Sequence, residues 1–372
     1  MKLNIISFDN PFPPKYGGVI DVFFKIKALH QIGFEIYLHC YIEDKDIVEI
    51  ELKNITKEIF FYKINRNPFF FFSTHPFSAL SRCSNNLVKN IKDNTAPILF
   101  EGLQTTYLMD KLSLNNRKIY LRLHNLEANY YLGVSKSETN WIKKVIYFTE
   151  GIKYKRFQTR ISSFDRVFAL SIFENDYIHS FYNKKTNYIP VFHGNSTIKN
   201  LSEFGNYAIY HGDLRISDNK KAVEFLISVF KKINDYPLII ASSSGKEFIK
   251  KKIRENTNIK FVELNNEQQL NQLLEGAHIN VLLSFQKSGT KLKLINSLFN
   301  SRFCLINANI VDDPQIKSLC YFADTKNDFV IKINELRLKP YLERGSREEV
   351  LYKILSDKTN AQKIKDLIVQ ID

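Results

Sequence analysis

Two glycine-containing loops carry the residue types that could hold a negatively charged ligand. The first, Asp9 to Gly18 (DNPFPPKYGG), follows the apolar run Lys2 to Phe8. That run has the length and β-branched content of a buried strand. Three prolines and the pair Gly17-Gly18 cannot continue a strand ladder. From Val19 onward, Val22, Phe23, Ile26 and Leu29 recur at helical spacing, and Gly33 suits a C-terminal cap. Strand, glycine loop and helix in that order present backbone N–H groups to an anion. A plain connecting turn would use the same residues, and the G-x-G-x-x-G dinucleotide fingerprint is absent. The second loop, Ser284 to Lys293 (SFQKSGTKLK), follows the apolar run Ile279 to Leu283. It enters a helix whose Leu292, Ile295, Leu298 and Phe299 share one face. Open N–H groups beside Gly289 and Thr290, with Lys291 or Lys293, would hold a diphosphate through charge-assisted hydrogen bonds. The Walker A pattern is not met. A solvated, lysine-rich helix start is the plain alternative; the pairing of two such loops favours the ligand.

The elements that must position these loops alternate along the chain. Strand-like runs follow the opening unit at Phe34–Cys40, Glu58–Ile64, Pro97–Phe100, Lys118–Leu123, Arg166–Ser171 and Asn187–Val191. Helical stretches are predicted around Ala79–Ile91 and from Glu127 to about Ser162. A polar segment, Gly194 to Gly205, reads as a hinge. A second series then begins with strand Tyr207–Tyr210, a loop from His211 to Arg215 and a helix over Ala222–Ile233. Further strands are predicted at Pro237–Ala241, Ile259–Leu264, Ile279–Leu283 and Phe303–Asn307. Such alternation implies mostly parallel sheets covered by helices on both faces. The expected organisation is a domain over 1–195, a second over 206–345 and a helical tail over 346–372. The tail opens on an S-x-x-E capping box at Ser346.

Size and composition agree with two domains. A chain of 372 residues is too long for one ordinary core, and 44% hydrophobic with 13% aromatic residues can bury two. Cys40, Cys83, Cys304 and Cys320 lie far apart with no C-x-x-C pair, which fits reduced thiols in a cytoplasm. No signal peptide is expected. The net charge of +14, from 53 Lys+Arg against 39 Asp+Glu, favours anionic partners: nucleic acid, acidic lipid headgroups or phosphorylated ligands. The abundance of Lys, Asn, Ile and Phe also fits an AT-rich genome, which would account for much of the basicity.

Four short patterns in order make the chain resemble the retaining two-domain glycosyltransferases of the GT-B architecture, specifically the glycogen-synthase-like family 4. They are Pro13-Pro14-x-x-Gly17-Gly18, Leu121-Arg122-Leu123-His124-Asn125, and Tyr210-His211-Gly212-Asp213-Leu214 with Asn219. The fourth is Ser288-Gly289-x-Lys291-x-Lys293-x-x-Asn296-Ser297. The resemblance implies two Rossmann-like doubly wound domains facing a central cleft. A nucleotide sugar would be held by the second domain and a saccharide or lipid-linked acceptor approached from the first. It implies that His124 reaches the sugar, that Gly17, Gly18 and Gly212 allow close backbone approach, and that Arg215, Lys220 or Lys246 meets the diphosphate with Lys291 and Lys293. His124 as a hydrogen-bonded structural histidine is the rival, and Glu127 is assigned to the next helix. The family's two loop glutamates are replaced by Ser288 and Asn296; asparagine can bond a ribose hydroxyl but lacks the carboxylate charge.

No metal and no cofactor beyond the donor are expected. Asp44-Lys45-Asp46 and Asp312-Asp313-Pro314 read as solvated loops. The expected function is transfer of a hexosyl group in surface polysaccharide or glycoconjugate synthesis. An inactive nucleotide-sugar-binding homologue and a sugar-nucleotide epimerase are the alternatives. No zinc-finger, RRM or basic-zipper signature supports a nucleic-acid partner. In Trp141 to Arg160, basic residues mix with interfacial aromatics, as on helices that lie against anionic bilayers. That would place a cytoplasmic protein at the inner face of the membrane. Two helices packing their aromatic side inward fit the same pattern and are the preferred reading, as is burial of Phe69 to Phe72.

Overall fold

The computed structural model describes residues 1–43, 49–92, 94–112, 117–138, 140–254, 256–286 and 291–369. The chain forms two compact units: Met1–Gly194 together with the chain from Ile354 onward, and Asn195–Lys353.

The first unit is built on a parallel sheet of β1 (Lys2–Ser7), β2 (Glu35–Ile42), β3 (Glu58–Lys63), β4 (Ile98–Glu101), β5 (Ile119–Leu123), β6 (Arg166–Ala169) and β7 (Thr186–Tyr188). Its order is β3-β2-β1-β4-β5-β6-β7. Ile5 pairs with Leu38 on one side and Leu99 on the other. Alternate residues serve opposite faces: Ile5, Leu99 and Tyr120 join one core, and Ile6, Phe100 and Leu121 the other. Both faces are therefore apolar and need helices over them. The helix Gly17–Gln31 covers the first core with Val19, Val22, Ile26 and Leu29. It ends as its glycine signalled: Gly33 has φ +92°, where a Cβ would be strained, and Phe34 N–H donates to Leu29 O at 3.1 Å.

The second unit has β8 (Tyr207–His211), β9 (Leu238–Ser242), β10 (Ile259–Glu263), β11 (Ala277–Leu282), β12 (Phe303–Ile306) and β13 (Tyr321–Phe322). All pairings are parallel, in the order β10-β9-β8-β11-β12-β13. In each sheet the chain winds outward one way and then returns to wind out the other. The reversal lies between β1 and β4, and between β8 and β11. At such a point the connections leave in opposite directions, which opens a crevice beyond the strand ends.

Several expectations are corrected. The stretch 79–91 is two short helices, Phe77–Leu80 and Asn85–Lys92. The run after Glu127 breaks into Glu127–Ser137 and Trp141–Phe157, with Asn140 capping the second. Ser346 opens no capping box. It lies inside the helix Arg344–Ile354, and its hydroxyl donates to Glu343 O at 3.0 Å. The tail is not one element either. Arg347 is buried and donates to the carbonyls of Leu298, Ser301 and Arg302, which ties its helix to the second unit. The next helix, Asp357–Val369, returns to the first unit, where Ala361, Ile364 and Ile368 complete the core beside Gly17–Gln31. Asp313 is buried and caps the short helix Pro314–Lys317, whereas Asp312 is exposed. Asp44 to Asp46 lie outside the described residues. Among those described, no helix is long and apolar enough to cross a membrane.

Candidate functional site

In the first unit a cluster of buried charges sits at the reversal point. Asp21 and Lys25 come from the Gly17–Gln31 helix, Glu101 ends β4, and Arg122 and His124 alternate at the end of β5. Lys25 Nζ lies 2.9 Å from Asp21 Oδ2 and 2.8 Å from Glu101 Oε2. Arg122 donates to both Asp21 oxygens, at 3.1 and 2.8 Å, and to the carbonyls of Ile189 and Pro190. Asp21 Oδ1 also accepts from Phe192 N–H at 2.9 Å. Burial alone would push the Asp21 carboxyl up, but the charges of Arg122 and Lys25 outweigh it and hold it well below the usual range.

His124 is the member of this cluster that reaches the surface, at 8% exposure. Its Nε2 lies 2.9 Å from Glu101 Oε2. A carboxylate can only accept, so Nε2 carries a proton and donates it to Glu101. Phe8 meets the ring edge-on at 5.2 Å. Gly18 stands behind Phe8, and a Cβ there would come 2.8 Å from the phenyl Cζ. Gly17 opens the helix, exposed. The glycine pair thus lets the helix start close over the ring that packs on His124. Glu127 begins the next helix and is buried; burial first, and the nearby Glu174 second, push its carboxyl up to about 8.

Asp21, Glu101 and His124 also form a triad whose ligand-type atoms lie within 4.8 Å of one another. The Lys25 ammonium already lies between the two carboxylates and supplies the positive charge a cation would bring there.

In the second unit the reversal point gathers the loops after β8 and β11. Asn219 spans the first loop: its amide donates to Asp213 O at 2.9 Å, and its Oδ1 accepts from Tyr210 OH at 3.0 Å. Gly212 passes so close that a Cβ would sit 3.2 Å from Asn219 Nδ2. Asp218 bridges to the second loop by accepting from Ser284 Oγ at 2.7 Å and Phe285 N–H at 2.9 Å. The half-buried Lys293 extends over the Tyr210 ring, 5.0 Å from its centroid. Its Nζ has only two long contacts, Asn219 Oδ1 and Leu283 O, both at 3.4 Å. Among the described residues no carboxylate pairs with it. Burial, then the charge of Lys291, pulls its pKa down to about 8. The structure therefore holds a partly desolvated cation at a strand-end crevice, within the field of Asp218 but bonded to no carboxylate among the described residues.

The other residues named from sequence fall in several places. Lys291 immediately precedes the helix Leu292–Asn300. Arg215 is exposed and forks onto Asp213 at 2.7–3.0 Å. Lys220 lies 5.6 Å from the Phe248 ring centroid, and Lys246 pairs with Glu263 at 2.8 Å on the surface. None of these three is brought onto Lys293. Asn296 Oδ1 accepts from Asn195 at 3.0 Å. Ser288, Gly289 and Thr290 lie outside the described residues. Asp21, Lys25, Glu101, Asp218 and Ser284 were missed. Only Asp21 and Lys25 left a signal, as a charged i,i+4 pair beside the buried stripe of an amphipathic helix.

No protein-family model matches the chain. A Klebsiella pneumoniae protein described as an uncharacterized 44.6 kDa protein in the cps region is 25% identical over 324 residues, covering 81% of each chain. Sucrose-phosphate synthase from Thermosynechococcus elongatus superposes with a TM-score of 0.69 at 15% identity, covering 100% of this chain and 98% of that one. The lipopolysaccharide outer core galactosyltransferase WaaB gives 0.63 at 13% identity, covering 98% and 100%. HepE from Anabaena, solved in complex with UDP, gives 0.66 at 11% over the full length of both. Two parallel α/β units in one chain, matched end to end by these structures, establish the architecture: the chain has the GT-B fold of glycosyltransferases.

Proposed function

We propose that the protein is a glycosyltransferase that moves a sugar from a nucleotide-sugar donor to a saccharide or lipid-linked acceptor. The observation that carries this reading is Lys293, an ammonium at the β8/β11 reversal point with no carboxylate partner among the described residues. A diphosphate would supply the missing negative charge. Breaking the sugar–phosphate bond adds charge to the leaving diphosphate, and a fixed cation there stabilises the transition state. His124, oriented by Glu101, is the group assigned to the sugar. The UDP-bound HepE structure supports a nucleotide donor, and the cps-region relative supports a place in surface polysaccharide synthesis. We assign a retaining hexosyl transfer, which NMR of the product's anomeric proton would test. Incubation of the protein with nucleotide sugars, with and without saccharide acceptors, tests the class. Product formed without acceptor would point to an epimerase, and nucleotide binding without any product to an inactive homologue.

The chemistry of Lys293 gives a pH dependence. The diphosphate needs the protonated amine, and in the free protein that group titrates at about 8. Donor affinity should hold below that pH, fall above it, and be accompanied by proton uptake near it. Calorimetry in buffers of different ionisation enthalpy measures the uptake; an affinity flat to pH 10 would remove Lys293 from the contact. Lys246 already has Glu263, so Lys246→Ala should change the donor dissociation constant far less than Lys293→Ala does.

A further inference from the structure

The helix Trp141–Phe157 and the turn Pro68–Phe72 leave apolar side chains in solvent, contrary to the inward packing expected of them. Tyr154 and Phe157 are buried, as that packing requires, but Trp141 is 73% exposed, and Val145, Phe148 and Ile152 are also open. At 3.6 residues per turn these four fall within an arc of roughly 60°. Lys144 and Lys155 on one flank and Arg156 on the other are exposed as well. The turn adds Phe69 at 74% and Phe72 at 86%. It is fixed to the helix rather than loose. Buried Glu150 accepts from Phe77 N–H and from Lys153 at 2.8 Å each, and Lys153 donates on to Phe71 O at 2.9 Å. Phe71 stacks on Phe77 at 4.4 Å.

We infer that this surface docks the protein onto an anionic lipid bilayer. Exposed aromatic and aliphatic side chains flanked by lysine and arginine are what an interfacial helix needs: apolar groups to enter the headgroup boundary, cations to meet lipid phosphates. Charge selects the occupant. The helix carries five basic residues and one acidic residue, Glu150, whose two oxygens are both bonded inside the protein. The exposed stripe therefore presents no carboxylate, and a neutral apolar partner would gain nothing from its flanks. No helix among the described residues can span a membrane, so the contact is peripheral. The inference stands independently of the transferase reading, because it concerns binding alone.

Trp141 is the protein's single tryptophan, so its emission reports this surface directly. Vesicles of phosphatidylcholine with phosphatidylglycerol, mixed with the full chain at low salt, should co-sediment the protein and shift Trp141 emission to the blue. Pure phosphatidylcholine vesicles should bind at least about tenfold more weakly, and high salt should release the protein from the mixed vesicles. Phe72→Ser with Phe148→Ser removes exposed groups only and keeps the reporter; it should lower partition by about tenfold or more. Lys144→Glu with Lys155→Glu should do so at low salt alone. Equal binding to neutral vesicles, an unshifted Trp141 emission, or a dimer that buries Trp141 in sedimentation experiments would overturn the inference.

Discussion

Replacing His124 with alanine is expected to lower turnover by about 100-fold or more while leaving the donor dissociation constant within about twofold. The asymmetry follows from the separate roles assigned to the two residues. His124 belongs to the first unit, where its proton is committed to Glu101 at 2.9 Å and its ring is packed edge-on by Phe8. The diphosphate contact is assigned to Lys293, on the second unit. A group that meets the sugar as its bond breaks contributes to the transition state more than to ground-state binding. Glu101→Gln separates positioning from structure. The amide can also receive the imidazole proton, but it can donate one instead, so the single tautomer is lost. The turnover defect should then change with pH, whereas a purely structural His124 would give a uniform loss. Transfer of labelled sugar in single-turnover and steady-state form measures both. Unchanged turnover in His124→Ala removes the residue from the mechanism.

Asp21→Ala should destabilise the first unit by about 3–5 kcal/mol, the largest stability effect expected of a single substitution here. The carboxylate accepts four hydrogen bonds: one from Lys25, two from Arg122 and one from Phe192 N–H. Its removal leaves two buried cations to share Glu101. Adding Arg122→Met to the variant removes the stranded guanidinium, so the double variant should lose less than the sum of the singles. Urea unfolding followed by circular dichroism gives the three differences; strict additivity would show that the pair is not coupled. The sign of the pH dependence follows as well. Because the folded carboxyl is held below its ordinary value, its stabilisation is complete above about pH 4 and is lost as acid protonates it.

Much of the fold was legible because parallel strands buried on both faces read as apolar runs, from Lys2–Ser7 to Phe303–Ile306. The two-residue β13 is too short to carry any period. The tail misled because Ser346 and Glu349 have capping-box spacing, whereas the helix starts two residues earlier and is held by the buried Arg347. The return of the last helix to the first unit is a tertiary fact; Ala361, Ile364 and Ile368 announce a buried face but not which core receives it. The site was half legible. Lys293 and the glycine loop were named from local pattern, since each opens a helix after a strand. Glu101 could not be, because it follows a short apolar run and joins the charged cluster only through the fold, beside Lys25, 76 positions away in sequence. Arg215, Lys220 and Lys246 carry the positive charge that would attract a phosphate, but Asp213, Phe248 and Glu263 take up their side chains.

Under the proposed reading, a nucleotide sugar rests its diphosphate on Lys293. Isothermal titration of the wild-type chain and Lys293→Ala with UDP-, GDP-, ADP- and CMP-sugars tests it most directly. One nucleotide class should bind the wild type, and the substitution should weaken that binding by about 10- to 100-fold, the worth of one charge-assisted contact. Binding of equal strength in both proteins, or of no nucleotide sugar to either, would contradict the account.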